Sequence, residues 1–171
     1  MKFTRFTLGM ALALLSTAAI AQSDAQKAFE QLKTLDGVWQ GPATTIPPMP
    51  QMQGDIMKVS LRTTSLGNAL MHEMTSPKRP DDPITMFYLD GDQLLLTHYC
   101  DAGNRPRMTG KASPDGKTVE FDFVDLAGST EHGHMHHAKF TLIDADHHSE
   151  EWTYMMGDQA VKAHFDLQRA K

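Results

Sequence analysis

Residues 133–167 alternate apolar and polar side chains at a period of two, in three runs: GHMHHAKFTLI, HHSEEWTYMM and QAVKAHFDL. Every second residue falls on one face: His134, His136, Ala138, Phe140 and Leu142, then Glu150, Trp152, Tyr154 and Met156, then Val161, Ala163, Phe165 and Leu167. Such a period marks half-buried strands. A hairpin centred on Asp144-Ala145-Asp146 sets Phe140 opposite Glu150 and His136 opposite Tyr154. A second, centred on Gly157-Asp158, sets Trp152 opposite Ala163 and Glu150 opposite Phe165. Both pairings keep the same residues on one face, as register requires. The segment therefore predicts an antiparallel meander whose buried side carries two histidines, a glutamate and a tyrosine.

Upstream, Ser23-Asp24-Ala25-Gln26 has the form of a capping box, and Ala25, Ala28, Phe29, Leu32 and Leu35 recur at helical spacing before Gly37. One short amphipathic helix is expected over about residues 23–35, as a plug over one end of a sheet. A first strand opens at 37–41, and the proline-rich stretch 42–53 predicts a loop. Strands are expected at 54–66, 69–76, 84–90, 93–100, 107–113 and 118–124, with a turn at Asp90-Gly91-Asp92. That turn sets Leu94 opposite Tyr88, Leu96 opposite Met86 and His98 opposite Ile84. With the meander this makes about ten strands and no helix between them. The fold class is all-β. An up-and-down antiparallel barrel with one N-terminal helix hides every strand edge, and a two-sheet sandwich is the competing architecture.

The first residues, MKFTRFTLGMALALLSTAAIAQ, read as a secretory signal peptide: Lys2 and Arg5, an apolar core, then a small-x-small site at Ala19-Ile20-Ala21. Residues 1–21 are expected to be removed, leaving 22–171 as one domain in the bacterial periplasm, with no membrane span. Without Lys2 and Arg5, 14 basic residues face 21 acidic ones, a net charge of −7 that argues against nucleic acid or an anionic membrane as partner. The single cysteine, Cys100, rules out an intramolecular disulfide. Oligomeric state is not legible.

Nine histidines, all within 22–171, stand out. His98 and Cys100 share a face with Leu94 and Leu96, and His72 alternates with Leu70 and Met74. Buried polar groups cost roughly 1–3 kcal/mol each unless paired, so these must meet one another, a metal or a ligand. Trp39, His98, His136, Glu150, Trp152 and Tyr154 are the candidate ligand-binding residues, for a small hydrophobic or amphipathic molecule. In the alternative, His134 and His136, ~6.5–7 Å apart on one strand face, join His98 around zinc, copper or iron. Met49, Met52 and Met57 could recruit soft copper(I), although methionines more often pack against apolar surface. His147 and His148 fall at a hairpin tip, where exposure explains them. No nucleophile elbow, His-Glu-x-x-His, phosphate loop or dinucleotide fingerprint occurs, so no sequence motif supports an enzyme and no cofactor is called for.

Gly37-Val38-Trp39-Gln40-Gly41 resembles the Gly-x-Trp-x-Gly of the calycin superfamily, the lipocalin-like barrels, in its nitrobindin-like and fatty-acid-binding-like branches. The resemblance implies a small barrel in which an arginine near the chain end, here Arg169, packs over Trp39. The run from Glu150-Glu151-Trp152 to Arg169 looks like secreted bacterial proteins of this fold. In nitrobindin-like proteins haem sits on a last-strand histidine; the nearest one here is His164, which points outward in the register above, as does Lys162.

Overall fold

The computed structural model describes residues 22–50, 52–78, 80 and 82–171, so residues 1–21, expected above to be a signal peptide, lie outside the described residues. One helix, α1 (Asp24–Lys33), precedes ten strands: β1 (Gly37–Ile46), β2 (Ile56–Thr64), β3 (Ala69–Thr75), β4 (Ile84–Asp90), β5 (Gln93–Tyr99), β6 (Asn104–Ala112), β7 (Thr118–Gly128), β8 (His134–Asp144), β9 (His147–Met156) and β10 (Gln159–Arg169). Each strand pairs antiparallel with the next, and β10 returns to β1, closing the barrel. Closure settles the choice between barrel and sandwich, because it leaves no edge unpaired.

The helix forms where the capping box foretold. Ser23 Oγ accepts from the Gln26 N–H, and the Gln26 side chain accepts from the Ser23 N–H. The C-cap is Thr34 rather than Gly37. Ala28, Phe29 and Leu32 lie buried in the barrel core, so α1 closes one end. Trp39 seals that end: its indole N–H donates to Leu35 O at 2.7 Å, and the Arg169 guanidinium sits 4.1 Å from its ring centre. Arg169 also donates to Asp36 O and Thr34 O, tying the last strand to the helix exit. The Gly-x-Trp-x-Gly motif thus has a packing cause. A Cβ on Gly37 would stand 2.5 Å from Arg169 Nη1, and one on Gly41 would stand 1.7 Å from the Asp166 carbonyl oxygen.

The interior alternates with a charged exterior. Outward-facing Lys139 meets Glu120 at 3.5 Å and Glu151 at 3.8 Å across neighbouring strands. Charged residues on the outer face suit water, and they would be costly against lipid. No described helix is long and apolar enough to cross a membrane.

Three local expectations are corrected. β1 runs to Ile46 and does not give way to loop at Pro42; Pro42 and Gly41 pair with Ile56 and Met57 of β2. The β4–β5 turn contains two residues, so Asp90 pairs with Gln93, and every pairing shifts by one: Leu94 with Leu89, Leu96 with Phe87, His98 with Thr85. In β8 an irregularity between Met135 and His137 inserts His136, so that Met135, not His136, lies opposite Tyr154. The pairings of Phe140 with Glu150, Trp152 with Ala163 and Glu150 with Phe165 stand as read.

Candidate binding site

At the end of the barrel opposite α1, the interior opens into a cavity of about 280 Å³. Its walls are Met57, Met74, Met135, Val161, Ala163 and Phe165, with His72, His98, Trp152 and Tyr154 deeper or beside them. Loops form the mouth. The β1–β2 loop brings Met49 and Met52 over it, held because the Met49 N–H donates to the buried Thr45 Oγ1 at 2.8 Å. Ser76, at the end of β3, donates its hydroxyl to Asp55, pinning that loop to the β3–β4 connection. Asn104 donates to Gly133 O at 2.9 Å and ties the β5–β6 and β7–β8 loops together.

The floor is polar, although it lies within an apolar barrel. Glu150 is fully buried and accepts from three sides: Trp152 Nε1–H at 3.0 Å, His148 Nε2 at 3.1 Å, and His72 Nε2 at 3.0 and 3.2 Å. Burial by itself would raise this carboxyl. The charge of His72 and the hydrogen bonds from His148 and His72 outweigh burial and hold it well below the usual carboxylate range. A carboxylate only accepts, so each imidazole presents Nε2–H to it, and His72 Nδ1 and His148 Nδ1 are left without a partner among the described residues. His148 continues the network downward, its ring edge-on to Trp39 with centroids 4.3 Å apart. The network therefore links the sealed end to the cavity floor.

His98 stands apart from that network. Its Nδ1 lies 2.8 Å from Thr85 Oγ1, its ring is 5.4 Å from Trp152, and its Nε2 is buried with no partner among the described residues. Burial, reinforced by the neighbouring His72, pushes its pKa down to about 3, so the ring is neutral near pH 7. Tyr154 borders the cavity near the mouth, its phenol pushed up by burial, then by Cys100 and Asp101.

Of the six ligand-binding candidates, His98, Trp152 and Tyr154 line the cavity. Glu150 lies behind them as the floor's anchor, and Trp39 is packed at the sealed end, away from the cavity. His136 sits elsewhere too. His134 Nε2 and His136 Nδ1 are 3.2 Å apart, and both rings contact Phe123, with centroids at 4.9 and 4.7 Å. The proposed metal set of His98, His134 and His136 is therefore not brought together. No group of three or more His, Cys, Asp or Glu among the described residues is arranged to hold a metal ion. His164 is exposed and pairs with the outward Glu151, so the last strand offers no inward histidine to haem, and Lys162 is likewise exposed. His148, read as an exposed tip residue, is wholly buried, because β9 begins at His147 and places His148 in phase with Glu150. Thr85, His148, Met74 and Met135 belong to the site or its support but are not among the candidates the sequence marks. His148 escapes because His147 and His148 read as a hairpin tip in the sequence, and Thr85 because the β4–β5 pairing read there is off by one residue.

No protein-family model matches the chain, and no curated protein matches it in sequence. Similar folds occur among solved structures. Rv2717c from M. tuberculosis matches with a TM-score of 0.63 at 14% identity, over 84% of this chain and 98% of that one. A protein of unknown function of the DUF3598 family from Nostoc punctiforme PCC 73102 matches with a TM-score of 0.53 at 13% identity, over 81% of this chain and 49% of that one. At these identities the likeness is one of fold alone, and the fold of this chain is a closed ten-stranded antiparallel barrel.

Proposed function

We propose that this protein is a binding barrel for a small hydrophobic or amphipathic guest, held in the cavity between the Met49–Met52 mouth and the His72–Glu150 floor. One observation carries the reading. A closed barrel packs its sealed end solidly yet leaves about 280 Å³ at the other end, lined mainly by apolar side chains and a few buried polar atoms. Apolar walls with few convergent polar groups are the usual make-up of a small-molecule site. Methionines suit such a wall, because unbranched thioethers repack around guests of different shape.

The leader-like residues 1–21 support action after export, in the periplasm. The Gly-x-Trp-x-Gly motif with its arginine clamp supports placement among the calycins. The test is a titration with the neutral fluorophore N-phenyl-1-naphthylamine. The wild-type protein should bind one equivalent with enhanced emission. Ala163→Trp, which fills the cavity from β10, should abolish the enhancement while leaving the far-ultraviolet circular dichroism unchanged. Equal binding by that folded variant would place the guest elsewhere and refute the reading.

A further inference from the structure

We infer that the guest of this cavity is an uncharged molecule bearing a hydrogen-bond acceptor, such as a ketone, ester or ether, received by His98 Nε2–H. The inference rests on the cavity being the binding site. It begins with Thr85, whose side chain is buried and whose hydroxyl has one hydrogen-bond partner among the described residues, His98 Nδ1. A hydroxyl proton needs an acceptor, and the neutral imidazole supplies one only if Nδ1 carries a lone pair. The ring proton then resides on Nε2. The opposite tautomer would make Thr85 Oγ1 the acceptor and leave its own proton buried without a partner, a cost that proteins avoid. Thr85 therefore sets the tautomer of His98, and the buried Nε2 of this cavity-lining residue is a donor without an acceptor among the described residues.

Charge narrows the class further. Among the described residues no lysine or arginine lines the cavity; the charged groups close to it are Asp101 at the mouth and the His72–Glu150 pair in the floor, in which the carboxylate already answers the imidazole at 3.0 Å. His98 stays neutral, so it offers a hydrogen bond without a counter-charge. A carboxylate or phosphate head would meet Asp101 at the mouth and, in the floor, a histidine already paired with Glu150, so no unpaired cation receives it. The same tautomer argument weighs against a metal on His98, since ligation at Nε2 would move the ring proton to Nδ1 and orphan the Thr85 hydroxyl.

Three probes of matched chain length test this by calorimetry: 2-octanone, octanoate and octane. 2-Octanone should bind roughly tenfold tighter than octane, the increment of one hydrogen bond, and tighter than octanoate by at least as much. His98→Ala should remove the preference of the ketone over octane, and His98→Gln, which restores an N–H, should return part of it. Octanoate binding as tightly as the ketone would overturn the inference, as would an unchanged ketone preference in folded His98→Ala. If octane and 2-octanone bind alike in the wild type, the binding-barrel reading stands and this inference falls. If none of the three binds, both fall. An independent check needs no variant: nitrogen-15 shifts of the wild-type protein should show His98 Nδ1 as the unprotonated nitrogen, and a protonated Nδ1 would refute the argument at its root.

Discussion

At the scale of single residues, the balance of burial and pairing decides what each polar group in the core can do. Glu150 remains ionised because three N–H donors surround it, whereas His98 remains neutral because burial, and then the neighbouring His72, disfavour its charged form. The two shifts have different consequences for stability against pH. The folded pKa of His98, about 3, lies below its ordinary value of 6.5, so the unfolded chain binds a proton that the native ring refuses. The associated stability is fully present above pH 6.5 and drains away as pH falls toward 3. Glu150 is also depressed, and its contribution is lost only below the ordinary carboxylate range, as pH falls through its folded value. The window between pH 6.5 and 4.5 therefore belongs to His98 and not to Glu150. Urea unfolding at pH 7 and pH 5 should show wild type losing about 2 kcal/mol more than His98→Gln over that interval, at about 1.4 kcal/mol per pH unit. Equal losses in the two proteins would show that His98 is not a neutral buried ring.

At the scale of elements, alternation found the strands but could not fix their joints. The inward faces of β5, β9 and β10 were legible because Leu94, Leu96, Trp152, Phe165 and Leu167 mark them with large apolar side chains. Register was legible only where the turn length was. The two-residue turn between β4 and β5 moved His98 from Ile84 to Thr85, and that single slip conceals the partner which fixes its tautomer. The insertion at His136 was equally hidden, since a bulge leaves no mark in a period-two pattern that already mixes histidine with methionine. The start of β1, in contrast, carried its packing openly. Gly41 is closed in by the backbone of β10, and Gly41→Ala would drive a methyl into the Asp166 carbonyl. A clash with backbone cannot be relieved by a rotamer change, so this variant should lose about 3 kcal/mol or more in urea unfolding. A loss under 1 kcal/mol would mean that β1 and β10 are not so close.

At the scale of the whole molecule, the barrel divides along its axis. One end is sealed by α1, Trp39 and Arg169, and a column of His148, Glu150 and His72 leads from there to the cavity floor. The other end is built from loops that are tied by Thr45, Ser76 and Asn104 and that leave space inside. Six methionines line that space, whereas Met71, Met86 and Met155 lie on the outer face and Met108 is packed in the core. This distribution makes the methyl groups reporters of where a guest sits. The most direct measurement is a methionine-methyl NMR titration with N-phenyl-1-naphthylamine, each signal assigned by Met→Leu substitution. Shifts confined to Met49, Met52, Met57, Met74, Met135 and Met156, with Met71, Met86 and Met155 unmoved, are the predicted result. Shifts on the outer-face methionines, or none on Met57, Met74 and Met135, would contradict a cavity site.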